Sequence, residues 1–128
     1  MDEAMQNVIE EFLEQDDNLF YSPVALQYTT SDIEQFKAGL ANLQAMDIET
    51  SLFMKCMHSS LQLLKRMVDE RDFVMFFNHY IKGKTHEVLA HELDTSQSTI
   101  TRHCRAVLKK LSIILYPDLT LQKVFFNV

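Results

Sequence analysis

A chain of 128 residues, 47% of them hydrophobic, is long enough for one domain with a real core, or for a small domain plus an extension. Only two Gly and two Pro argue against a fold of many β-turns, and two distant cysteines, Cys56 and Cys104, give neither a disulfide framework nor a metal-ligand spacing. The net charge of −6 is unevenly spread: residues 1–50 carry −10, residues 51–81 carry +1, residues 82–110 carry +3 and residues 111–128 balance. An acidic part is thus set apart from a basic one, a pattern expected of a nucleic-acid module joined to something else. The first residues are acidic where a secretory signal would be basic. No apolar run approaches the ~20 residues of a membrane-spanning helix, and the unpaired cysteines fit a reducing cytosol.

Taken in chain order, residues 2–15 read as an amphipathic helix, with Met5, Val8, Ile9, Phe12 and Leu13 at helical spacing and Glu10, Glu11 and Glu14 opposite. Ser22 is placed to cap a short helix that Pro23 begins. The run of residues 29–32, Thr-Thr-Ser-Asp, reads as a break. Ser31 and Glu34 then form a capping box for a helix to about Ala45. A longer helix is expected from about 48 to 68, where Phe53, Met57, Leu61, Leu64 and Val68 make one apolar stripe. Another opens in the acidic run 69–72 and passes through Phe73, Phe76, Phe77 and Tyr80, and Gly83 permits the following turn.

Residues 84–110 are the most informative stretch. Thr85 is placed to cap a short helix with Val88, Leu89 and Leu93 on its apolar face and the small Ala90 where a second helix must cross closely. Asp94 and Thr95 make the turn, Ser96 caps the second helix, and Thr99 is its third residue. Ile100, Cys104, Val107, Leu108 and Leu111 form its buried stripe, and Pro117 stops it near Tyr116. That stripe leaves Gln97, Ser98, Thr101, Arg102 and Arg105 facing outward. Gln suits adenine, Arg suits guanine, and Thr meets a thymine methyl. Lys82, Lys84, Thr85, Lys109 and Lys110 flank them and suit phosphates. The expected fold is all-α, a helical bundle with a C-terminal helix-turn-helix.

The pattern resembles helix-turn-helix families of the form T-x-x-x-[VIL]-A-x-x-L-x-x-S-x-x-T-[IV]-x-R, met here by Thr85, Leu89, Ala90, Leu93, Ser96, Thr99, Ile100 and Arg102. Asp94 stands where a turn glycine is usual, and Asp tolerates a left-handed backbone. With the approach from Glu70 to Thr85, residues 70–112 look like a sigma-factor region 4 domain. Among small proteins with such a module near the C-terminus, the chain looks most like the ArpU/RinA group of phage late-gene transcription regulators. That resemblance implies a cytoplasmic activator of phage or prophage late genes in a bacterial host, acting on double-stranded DNA, with N-terminal helices that dimerise, contact RNA polymerase, or both. Three parts are expected: an acidic helical region 1–69 for oligomerisation or partner contact, a DNA-binding domain 70–116, and an apolar tail 117–128 that fits a strand or a docked helix.

Other constellations carry less. The five histidines, His58, His79, His86, His91 and His103, show no i, i+4 pairing, so no metal is expected. His79, His86 and His91 read as surface or groove-side polar residues, and His103 as solvated or near a phosphate. No phosphate loop or nucleophile motif appears, so neither cofactor nor enzymatic activity is expected. The Met- and Phe-rich middle reads as core, part of it as an oligomer or polymerase contact. A homodimer would place two reading helices on two half-sites. The rival expectation is a protein-interaction adaptor that keeps the two-helix unit as a scaffold.

Overall fold

The computed structural model describes residues 22–119 together with Glu3. The helix expected over residues 2–15, Glu3 apart, and the tail from residue 120 lie outside the described residues. Among the described residues there is no strand. Between residues 22 and 116 five α-helices follow one another: α1 (Pro23–Ala41), α2 (Ile48–Met67), α3 (Glu70–Tyr80), α4 (His86–Glu92) and α5 (Gln97–Leu115), with a short 3-10 turn at Leu43–Ala45, and residues 117–119 are again helical. None of them is long and apolar enough to cross a membrane.

The helix starts follow from side-chain chemistry. The Ser22 hydroxyl accepts the amide of Ala25, with Pro23 opening the helix. Asp47 accepts the amide of Thr50 at 2.7 Å. Thr85 accepts that of Val88 at 3.1 Å, and Ser96 that of Thr99 at 3.2 Å. Each cap satisfies one of the amides that a helix start leaves unpaired.

One expectation fails. Residues 29–32 do not interrupt the chain, and Ser31 caps nothing, because α1 runs through them unbroken. The Thr29 hydroxyl donates to the Ala25 carbonyl at 2.7 Å and the Thr30 hydroxyl to that of Leu26 at 3.0 Å. Bonded back to the preceding turn, these hydroxyls no longer compete with the helix ladder. Thr29 also falls on the buried stripe of Ala25, Ile33, Phe36 and Gly39, so packing outweighs its weak helix propensity.

α5 is the hub and packs against each of the other four helices. The main core joins Ile33 and Phe36 of α1, Met57, Leu61 and Leu64 of α2, Phe76 of α3, and Val107, Leu108, Leu111 and Ile114 of α5. Helices from both sides of residue 70 therefore share one apolar interior. A second, smaller cluster holds Met75, Leu89, Ala90, Ile100 and Cys104, and Tyr80 packs against both. The small cluster fastens α4 and the first half of α5 to α3.

Candidate nucleic-acid interface

The unit of α4 and α5 is built around a four-residue connection. Leu93 ends α4, and Asp94 follows with φ of 51°. The Thr95 amide donates to the Ala90 carbonyl at 2.9 Å and the Asp94 amide to that of His91 at 3.4 Å. These are the two bonds of a Schellman ending, with Asp94 in the left-handed position that glycine usually takes. Ser96 then starts α5. Its hydroxyl also lies 2.8 Å from the Thr99 hydroxyl and 3.1 Å from that of Ser98, which ties the first turn of α5 together.

Leu89, Ala90, Ile100 and Cys104 are buried between the helices, as their spacing predicts, and so are Val107, Leu108 and Leu111. Val88 departs from the expectation, being 43% exposed. α4 has only seven residues, and it packs through Leu89 and Ala90. Val88 lies about 100° around the helix from Leu89, on the outer side.

Gln97, Ser98, Thr101, Arg102 and Arg105 are all exposed on the first half of α5. Arg102 and Arg105 form no ion pair among the described residues. Thr101 is more constrained: its hydroxyl lies 2.9 Å from the Gln97 carbonyl and 2.9 Å from Nδ1 of His86. The flanking residues divide. Lys82 and Thr85 are exposed, and the Lys82 ammonium lies 5.9 Å from the centre of the Phe77 ring. The Lys84 ammonium is bonded to both carboxylate oxygens of Glu92, at 3.0 and 3.1 Å. An exposed pair of this kind is worth at most about 1 kcal/mol, so a phosphate competes for Lys84 at small cost. Lys110 is half-buried.

Lys109 is the clear correction to the expected phosphate contacts, because it is only 9% exposed. From Val107 to Leu111 only Lys110 is not buried, and Ser112, Ile113 and Ile114 are buried too. Wrapped by α1, α2 and α3, this half of α5 leaves Lys109 no open face on which to meet DNA, and Lys110 only a half-buried one.

Three of the histidines, His79, His86 and His103, are less exposed than expected. His103 is half-buried, and its Nδ1 lies 2.8 Å from an Asp72 oxygen, which joins the start of α3 to α5. The His79 and His86 rings lie tilted at 36° with centres 4.0 Å apart, and His79 Nδ1 lies 2.8 Å from the Lys84 carbonyl. Both are half-buried, while His91 is exposed. Six residues separate His79, near the end of α3, from His86, the first residue of α4, and a turn lies between them, so no single-helix spacing could reveal the pair. The Cys104 thiol is pushed up to about 11 by burial and then by the charge of Asp72, which leaves it an unreactive core residue. Among the described residues no group of three or more His, Cys, Asp or Glu could hold a metal ion.

No protein-family model, curated protein or solved structure matches the chain.

Proposed function

We propose that this protein is a sequence-specific DNA-binding regulator of transcription, with α4 and α5 as a helix-turn-helix of the sigma region 4 kind and α5 as the reading helix. One observation carries the proposal: Gln97, Ser98, Thr101, Arg102 and Arg105 form an exposed polar and basic row on the first half of α5, directly after a tight capped turn. A helix that enters the major groove contacts base edges through such N-terminal residues. Arg supplies two donors for the O6 and N7 acceptors of guanine, and Gln donates to adenine N7 while accepting from its N6 amino group. Lys82, Lys84 and Thr85 sit on the approach to α4 and take phosphates, which position the helix without specifying sequence. Lys110 remains at the edge of this set, and Lys109 is removed from it by its burial.

The N-terminal side has a separate task. Residues 1–50 carry −10, which discourages this region from lying on DNA. At the corner of α1 and α2, Leu43, Ile48 and Leu52 are exposed, Ile48 by 80%. Exposed apolar side chains of this size favour a protein contact, and on this reading the region dimerises or meets RNA polymerase. The ArpU/RinA resemblance makes the regulated genes late genes of a phage or prophage.

The test is selection of the purified protein on randomised duplex DNA across a salt series. Enrichment of one motif, lost in Arg102→Ala and in Arg105→Ala, is the expected result. Salt-sensitive binding without enrichment would leave a backbone binder only. Absence of binding at low salt would give the adaptor reading first place, since the exposed apolar corner would then be the remaining interaction surface.

A further inference from the structure

His79, His86 and Thr101 come from three different helices and meet beside the row of candidate base-reading residues. Their hydrogen bonds fix who holds each proton. A carbonyl only accepts, so His79 Nδ1 carries a proton and donates it to the Lys84 carbonyl at 2.8 Å. Thr101 has one hydroxyl proton, which it donates to the Gln97 carbonyl at 2.9 Å. Its oxygen is then an acceptor for His86 Nδ1–H, also at 2.9 Å. This bonding assigns neutral His86 the tautomer with its proton on Nδ1. His86 Nε2 is left as a lone pair, enclosed and without a hydrogen-bond partner among the described residues.

Adding a proton there is unfavourable. The new N–H would have no acceptor, and the cation would lie against the His79 ring, 4.0 Å away between centres. Burial, and after it the charge of His79, holds the His86 pKa below its ordinary 6.5. The remaining titratable groups on the surrounding elements do not offset this. Tyr80 of α3 is kept neutral by burial, and Lys84 of the connection pairs with Glu92 of α4. On α5, Cys104 stays a thiol, His103 is bonded to Asp72, and Arg102 and Arg105 are exposed cations. Glu87, the acid in the first turn of α4, is exposed.

We propose that neutral His86 is a positioning residue for Thr101: it holds the threonine hydroxyl within the protein, so that Thr101 offers a base its methyl group. Protonation at Nε2 leaves Nδ1–H in place but creates an enclosed cation against His79 whose new N–H has no acceptor, so the imidazolium turns out to solvent, the hold on Thr101 is lost and DNA binding weakens. The group recognised is the methyl of a thymine in the major groove, the apolar feature that distinguishes this base there. The inference rests on the DNA-reading function proposed above. Folding follows the same sign. An unfolded His86 takes its proton near 6.5 and the folded one only at lower pH, so stability is full above 6.5 and falls as the pH drops below it.

The full chain is first selected on randomised duplex DNA at neutral pH. Affinity for the selected duplex is then measured at constant ionic strength between about pH 7.5 and about pH 5.5, the range in which histidine changes charge. Wild type is expected to lose affinity as the pH falls, with a slope of at most about tenfold per pH unit, the limit for one linked proton. His86→Asn places an amide N–H where Nδ1–H stood and does not titrate, so it keeps the motif and gives a flat profile. His79→Asn keeps the bond to the Lys84 carbonyl but removes the opposing charge, so its midpoint moves to higher pH. Uracil in place of thymine at one position of the site costs wild type several-fold in affinity, and that penalty disappears in Thr101→Ser. Parallel pH profiles for wild type and His86→Asn, or a uracil penalty that Thr101→Ser leaves intact, would overturn the inference while DNA reading stands. If His86→Asn does not fold, the His79→Asn midpoint and the uracil penalty decide. Failure of wild type to enrich any motif at any pH overturns both readings.

Discussion

The two halves of α5 are one continuous helix with opposite surroundings. Its first half buries Ile100 and Cys104 and leaves Gln97, Ser98, Thr101, Arg102 and Arg105 in solvent. Its second half buries Val107, Leu108, Lys109, Leu111, Ser112, Ile113 and Ile114. A helix apolar on one stripe belongs to a surface, and one enclosed on all sides belongs to a core. Here a single rigid element is both, so the core that fixes the second half also aims the first. The DNA-reading role proposed for α5 needs that stiffness, because base contacts have to be held in register by the scaffold behind them.

The comparison is broken most severely at its buried end. Leu111 is fully enclosed, and Leu111→Ala should destabilise the fold by about 2–5 kcal/mol, measured by urea unfolding at neutral pH. Arg102→Ala should leave the unfolding midpoint unchanged and cost about 1–3 kcal/mol of affinity for the selected duplex. If Arg102→Ala unfolded the protein, the division of α5 into a core half and a reading half would be wrong. Ser96→Ala removes the cap that starts the exposed half and should cost about 1 kcal/mol of stability. It should also increase amide exchange in the first turn of α5 more than near Leu111. The smallest effect sharpens the boundary between the halves. Lys82→Ala should lower the slope of log affinity against log salt by about 1, as for one lost phosphate contact, whereas Lys109→Ala should leave that slope alone. A reduced slope for Lys109→Ala would place the second half of α5 on DNA after all.

Much of this division is legible in the residues, because it rests on local rules. The caps at Ser22, Thr85 and Ser96, the left-handed turn at Asp94 and the buried stripe from Ile100 to Leu111 each depend on neighbours within a few positions. What is not legible depends on what comes from elsewhere to cover a face. By helical angle Lys109 lies on the same side of α5 as Ser98, Arg102 and Arg105. Its burial comes from the packing around the second half of the helix, which no feature of residues 97–115 announces. The Thr29 and Thr30 hydroxyls satisfy themselves on the preceding turn, so a run that resembles a break is helix interior. The His79 and His86 pair and the Asp72 to His103 bond join separate helices, which one-dimensional spacing does not reveal.

The hub position of α5 also bears on how the chain is made. Ribosomal synthesis delivers α1 and α2 first, with Ile33, Phe36, Met57, Leu61 and Leu64 ready for a core, but the helix that covers them ends only at Leu115. At roughly 5–20 residues per second, those side chains wait several seconds for their partner. The Tyr116 hydroxyl then donates to the Asp32 carboxylate, joining positions 84 residues apart in the chain. Contacts of such long separation form slowly, since a large loop has to close before they are made. Until α5 is made, the apolar side chains of α1 and α2 lack the helix that covers them, and a chain stalled before α5 leaves them open to aggregation.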